Sequence, residues 1–243
     1  MSAPGAVDLP SAAVAVVIPA YRAAATIGAV LARIRSQLPH ATLLVVDDGS
    51  DDDTAGRAIA AGAAVASHET NQGKGRALAS GITAALALDG MRWLVTLDAD
   101  GQHPPEAIPA LLAPILAGEA ELVLGARQRD PATMPLGRRF TNWLASALVS
   151  RATGFPVPDS QCGFRAMARK VAERVQPAGR RYEFETEFLF DAVGRGFRLG
   201  WIAIPTVYEG EESHFRYIAD TLALTRVFLR HWRSILTGPR STA

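Results

Sequence analysis

The run Asp98-Ala99-Asp100-Gly101-Gln102-His103 puts two carboxylates on either side of one alanine, followed by an amide and an imidazole. On an extended or turning backbone, carboxylates at i and i+2 can converge on one hard cation, with the Gln102 amide oxygen as a third ligand. Oxygen donors of this kind suit Mg²⁺ or Mn²⁺, which keep positions open for water and phosphate. The other reading of Asp-Ala-Asp-Gly is a solvated turn. A second acidic cluster, Asp47-Asp48-Gly49-Ser50, offers either a carboxylate to a nucleobase N–H or a set of turn and capping bonds, as Asp51 to Asp53 would make before the next helix. If both clusters share one rim, their charges repel unless a cation or hydrogen-bond donors compensate.

The flanking elements bring them to one rim. Apolar runs of strand length occur at Val14 to Ile18, Thr42 to Val46, Ala63 to Ser67, Trp93 to Leu97 and Glu121 to Leu124. Between them lie helical patterns. The first follows Thr26 as N-cap, with Ile27, Val30, Leu31, Ile34 and Leu38 on one face; others start near Thr54 and run over Lys74 to Leu88 and Pro104 to Leu116. Strands apolar on both faces and separated by helices predict an α/β fold with a mostly parallel, doubly covered sheet. Ligands of such sheets bind beyond the carboxyl ends of the strands. There the sequence has Pro19-Ala20-Tyr21, the Asp47 cluster, Asn71-Gln72-Gly73-Lys74-Gly75, the Asp98 run, and Gly125-Ala126-Arg127. Gly73-Lys74-Gly75 begins like a dinucleotide fingerprint, but Leu78 breaks it, and no P-loop is present.

With 243 residues and 49% hydrophobic side chains the chain has ample core, and disorder is not expected. Its single cysteine, Cys162, excludes internal disulfides and zinc modules and suits a reducing compartment. The start lacks a basic n-region, and no apolar run reaches the roughly 20 residues of a membrane span. The charge, 25 Lys+Arg against 24 Asp+Glu, is nearly balanced but unevenly spread. Residues 1–126 carry 7 basic and 13 acidic side chains, whereas 127–181 carry 11 basic and 3 acidic. That second segment is more cationic than a nucleotide diphosphate alone would require, and no pattern points to nucleic acid.

The strand-end strings VVIPAY, LLVVDDGSDDDT, NQGKGRAL and LVTLDADGQHPPE, in this order, resemble the family 2 glycosyltransferases of GT-A fold. DSQCGFR from Asp159, YEFETE from Tyr182 and the Val207 to Arg216 region resemble the branch containing dolichyl-phosphate mannose and glucose synthases, with DSQCGFR closer to the glucosyl members. The resemblance implies that Pro19, Tyr21, Val46, Asp47 and Asp48 hold the nucleotide, with Lys74 and Ala99 at the nucleotide sugar. It implies that Asp98, Asp100 and Gln102 hold a divalent metal on the diphosphate. Arg127 and Arg139 match positions that approach phosphates, Arg138 and Arg165 are further acceptor-side candidates, and Arg216 matches a basic residue of a closing loop. Asp159 is read as orienting the acceptor or an arginine.

The predicted domain spans 12–212, divided near 127 into a nucleotide-sugar and metal half and an acceptor half, followed by a basic loop and amphipathic helix at 213–243. In that helix Phe228, Trp232 and Ile235 share one stripe and Arg226, Arg230 and Arg233 the opposite one. It is either an interfacial anchor or a helix docked on the domain. A helix over Phe140 to Ala152, with Trp143 and Leu144, carries the same two readings. Glu185 or Glu187 is expected to pair with a neighbouring arginine. His103 and His214 are site candidates, and His40, His68 and His231 surface residues. Cys162 is read as small packing.

The expected activity is metal-dependent, inverting transfer of glucose or mannose from UDP or GDP to a polyprenyl phosphate, by a protein attached peripherally to the cytoplasmic membrane face. A phosphate acceptor, already ionised at neutral pH, needs positioning and no base. The alternatives are transfer to a soluble hydroxyl acceptor and a non-catalytic nucleotide-sugar-binding module that partners a membrane protein.

Overall fold

A computed structural model describes residues 10–128, 136–177, 179, 183–205, 225–230 and 232, with the backbone alone for 128 and 136–142. Its seven strands are β1 (Val14–Ala20), β2 (Thr42–Asp47), β3 (Ala64–Ser67), β4 (Trp93–Thr96), β5 (Leu122–Gln128), β6 (Arg165–Ala168) and β7 (Leu199–Pro205). They form one sheet in the order β3-β2-β1-β4-β6-β5-β7. The helices are α1 (Ile27–Gln37), α2 (Thr54–Ala60), α3 (Lys74–Leu86), α4 (Ile108–Leu116), α5 (Leu136–Thr153), α6 (Arg169–Arg174) and α7 (Glu183–Gly194). Residues 225–230 and 232 are also helical.

The β1 alternation explains the layering. Val14, Val16 and Ile18 face a cluster shared with α1 and α4, while Ala15 and Val17 face one shared with α3, α5 and α7, so both faces are sealed and the strand reads as a continuous apolar run. Gly81 lets α3 approach closely, since a Cβ there would stand 2.4 Å from Val17 Cγ1. β1 pairs in parallel with β2 and β4, and β2 with β3. The chain therefore switches direction across the sheet between β1 and β4, where a crevice opens beyond the strand ends.

Two strands, β6 and β7, have no counterpart among the five apolar runs of the sequence. β6 is antiparallel to both β4 and β5 and separates them, and β7 pairs in parallel with β5 at the edge. Thr26 also differs from expectation. It flanks α1, but its hydroxyl makes no cap; it donates instead to the Ala99 carbonyl at 2.7 Å, tying α1 to the loop after β4. Arg169 is structural too: its guanidinium donates to the carbonyls of Leu86, Leu88 and Met91 and terminates α3. Lys170 pairs with Glu121.

Candidate active site

Asp47 and Asp48 end β2 and do different work. Asp47, 6% exposed, accepts from the Ser50 amide at 3.2 Å and pairs in register with Ala20, next to the half-buried Tyr21. Asp48 is 2% exposed; its carboxylate accepts from the Gln72 and Gly73 amides at 2.9 and 2.8 Å and meets His68 Nδ1 at 2.7 Å. Of the two roles open to the cluster, Asp48 makes the turn bonds, and the surface reading of His68 is corrected. Asp48 organises the loop before α3, and His68 lies inside that network, bonded also to Ser80 Oγ at 3.0 Å. Pro19 and Val46 are likewise buried in the sheet, with Val46 against α3, so only their backbone borders the crevice. Gly49 has φ +72° and no room for a Cβ against Thr70, which fixes the turn.

The loop after β4 is built around a lysine. The backbone leaves α3 starting at Lys74, whose Nζ lies 2.8 Å from Asp98 Oδ1, 2.9 Å from Oδ2 and 3.0 Å from Glu185 Oε1. Only the Oδ2 contact has hydrogen-bond geometry, so Asp98 Oδ1 and both Glu185 oxygens are buried without a hydrogen bond. Gly163 makes this cluster possible: a Cβ there would stand 2.9 Å from both Lys74 Nζ and Asp98 Oδ1. Burial pushes the Asp98 carboxyl up, but Lys74, His103 and Arg127 outweigh it and hold it at about 2. Burial lowers the Lys74 ammonium, and the two carboxylates reverse that and raise it. Glu187 takes the arginine that sequence reasoning assigned to one of the two glutamates, meeting Arg230 at 2.7 Å.

His103 is 2% exposed and stacks on Phe164 with centroids 5.4 Å apart. The Asp98 amide donates to its Nδ1 at 3.2 Å, which leaves the ring proton on Nε2, 3.6 Å from Cys162 Sγ. Burial is the main cause that holds its pKa down at about 4, with Asp98 opposing. The imidazole is thus a neutral strut between the Asp98 loop and the loop before β6. Cys162 is fully buried and pushed up to about 12 by burial, as packing requires and a nucleophile does not.

Arg127, at the end of β5, is gripped by Asp159, with Nε and Nη2 at 2.7 and 3.2 Å from the two carboxylate oxygens. Burial lowers the guanidinium pKa and Asp159 more than reverses this, raising it. Asp159 therefore orients an arginine, one of its two expected roles. Arg165 is a correction: it is 3% exposed and its guanidinium donates to the carbonyls of Ser160, Cys162 and Glu185, so it braces the interior and faces no acceptor. Arg138 and Arg139 lie on α5 where the backbone alone is described. Arg216 and His214 lie outside the described residues, as do Arg233 and Ile235. The described part of the last helix docks on the domain, with Val227 buried and Phe228 edge-on to Phe190, while Leu229 and Trp232 are exposed.

Asp98, Asp100 and Gln102 fit a divalent cation that takes its remaining ligands from a diphosphate. Asp98 Oδ1 receives no hydrogen bond and has only the Lys74 ammonium beside it at 2.8 Å, and Asp100 Oδ1 shapes the loop by accepting from the Gln102 amide at 2.9 Å. Among the described residues no three His, Cys, Asp or Glu side chains form a cage of their own. No described helix is long and apolar enough to cross a membrane.

Comparison with known proteins agrees with this architecture. The family model for glycosyl transferase family 2 matches residues 15–176, and the chain belongs to that family. It is a glycosyltransferase of GT-A fold. The UDP-N-acetylglucosamine–dolichyl-phosphate N-acetylglucosaminyltransferase of Methanococcus voltae is 30% identical over 219 residues, covering 79% of this chain and 84% of that one. The polyprenol monophosphomannose synthase of Mycolicibacterium smegmatis is 29% identical over 211 residues, 81% of this chain and 77% of that one. Among solved structures, glucosyl-3-phosphoglycerate synthase from Mycobacterium tuberculosis, in complex with Mn²⁺, UDP and glucosyl-3-phosphoglycerate, aligns at a TM-score of 0.71 and 26% identity. That match covers 99% of this chain and 88% of that one.

Proposed function

We propose that the chain moves a hexose, glucose or mannose, from its UDP or GDP donor to a polyprenyl phosphate, with inversion and with Mg²⁺ or Mn²⁺. The observation that carries this is an arginine gripped by a buried carboxylate, Arg127 on Asp159, at the end of β5, near the acidic run Asp98-Ala99-Asp100 that follows β4. Arg127 lies close enough to contribute to lowering the Asp98 pKa. Tyr21 and Asp47 border the base and ribose, and Lys74 and Ala99 the nucleotide sugar. Asp98, Asp100 and Gln102 would hold the divalent ion, which when bound neutralises charge on the departing diphosphate. Arg127 supplies positive charge to the same end, held in place by Asp159 on its Nε and Nη2. The buried carboxylates beside the metal set are committed, Glu185 to Lys74 and Asp159 to Arg127. That suits an acceptor phosphate, which requires no base.

Both curated relatives described above are named for polyprenyl-type acceptors, which supports a lipid phosphate. Exposed Trp143 and Leu144 on α5 and Leu229 and Trp232 on the last helix support peripheral contact with a membrane, on its cytoplasmic face. Arg138, Arg139 and Arg216 would then meet phosphates at that surface. A second reading, transfer to a soluble acceptor, is favoured by the structural neighbour solved with glucosyl-3-phosphoglycerate. Incubation with Mn²⁺ and radiolabelled UDP-glucose or GDP-mannose, offering undecaprenyl phosphate and 3-phosphoglycerate in competition, separates the two. Label is expected in the organic phase; label confined to a water-soluble product would overturn the lipid acceptor.

A further inference from the structure

Glu185 sits in the first turn of α7, where an acid ordinarily faces water and the helix dipole, yet it is 2% exposed. A buried carboxylate costs stability unless it is paired and hydrogen-bonded, and neither of its oxygens receives a hydrogen bond. The nearby Arg165 guanidinium is committed to backbone carbonyls, which leaves Lys74 Nζ, at 3.0 Å, as its partner. Lysine carries a compact charge on a four-carbon stem with three donors, so one carboxylate alone leaves it free to swing. Here Asp98 from the loop after β4 and Glu185 from α7 pin it between them, and Gly163 leaves no space behind the pair.

We propose that Glu185 is a positioning residue for the nucleotide donor: it acts through Lys74, holding the ammonium against Asp98 in the arrangement that receives a metal-bound diphosphate. This role rests on the donor-site reading above. Titration calorimetry with Mn²⁺ and UDP tests it on the full chain. In the wild type the nucleotide is expected to bind only with the metal. Glu185→Gln keeps the shape, leaves Lys74 paired with Asp98, and is expected to weaken Mn²⁺·UDP about tenfold, the low end for groups standing behind a metal ligand. The thermal midpoint should move little. In a Lys74→Met background the same change should alter the dissociation constant less than about twofold, because the group it acts through is gone. Unchanged affinity in Glu185→Gln, or a full further loss on top of Lys74→Met, would overturn the role. If Glu185→Gln alone does not fold, the comparison of Lys74→Met with Lys74→Met/Glu185→Gln decides by the same criterion. Wild-type protein that binds no Mn²⁺·UDP would instead overturn the donor site itself.

Discussion

Lowering the pH from 7.5 to 5 is expected to cost the folded state about 2 kcal/mol through His103 alone. The imidazole is held at about 4 in the fold against an ordinary value of 6.5. Between those values the unfolded chain binds the proton and the native chain does not, so stability is complete above 6.5 and declines as the pH falls toward 4. At pH 5 this preferential protonation of the unfolded chain shifts the folding equilibrium by a factor of about thirty, or about 2 kcal/mol. For a chain of this length that is a fall in melting temperature of about 4 °C. Asp98, held at about 2, titrates below this window: it contributes above its ordinary 3.8, and its share is lost as the pH falls from there toward 2. Urea unfolding in EDTA at pH 7.5 and 5, on wild type and His103→Asn, isolates the contribution. Asparagine retains an acceptor for the Asp98 amide but does not titrate. The wild type should lose about 2 kcal/mol more than the variant across the interval; equal losses would refute the idea that a neutral, buried His103 braces the metal loop.

Removing the Asp159 charge should be costly in two assays. Asp159→Asn leaves Arg127 without its counter-charge and is expected to destabilise by about 2–3 kcal/mol, below the full range for a buried pair because Arg127 is partly open to the crevice. A urea midpoint that stays in place would sink the brace. Gly163→Ala drives a methyl against Lys74 and Asp98 and is expected to cost about 1 kcal/mol and to weaken Mn²⁺·UDP in calorimetry; wild-type affinity would mean that the lysine cluster is not part of the donor site. Sedimentation with anionic vesicles should show the wild type pelleting and Trp143→Glu/Leu229→Glu remaining in the supernatant. Equal pelleting of the two would remove α5 and the last helix from the membrane contact.

The readable half of the molecule was the half governed by neighbours in sequence. Strands β1, β2 and β4 are apolar runs sealed on both faces, and their last residues fall where a switch-point crevice needs them, so Asp47, Asp98 and Asp100 could be placed from pattern alone. β6 could not: Arg165–Ala168 has only four residues, too few to display alternation, and its leading arginine read as an exposed phosphate ligand when it is an interior brace. The same limit hid the relations that complete the site. Lys74 meets Glu185, His103 meets Cys162 and Asp48 meets His68 across long stretches of chain, and no spacing encodes such contacts. Thr26 shows the reverse case, a helix-start residue whose hydroxyl is spent on a distant carbonyl.

The most direct measurement is transfer of label from a nucleotide hexose into the organic phase containing undecaprenyl phosphate, by wild type and Asp100→Ala, each with Mn²⁺ and with EDTA. The wild type should transfer only with the metal, and Asp100→Ala should lose transfer by on the order of a hundredfold or more while melting near the wild-type temperature. Transfer that survives EDTA, or a folded Asp100→Ala that transfers at the wild-type rate, would contradict a metal-held diphosphate at the end of β4.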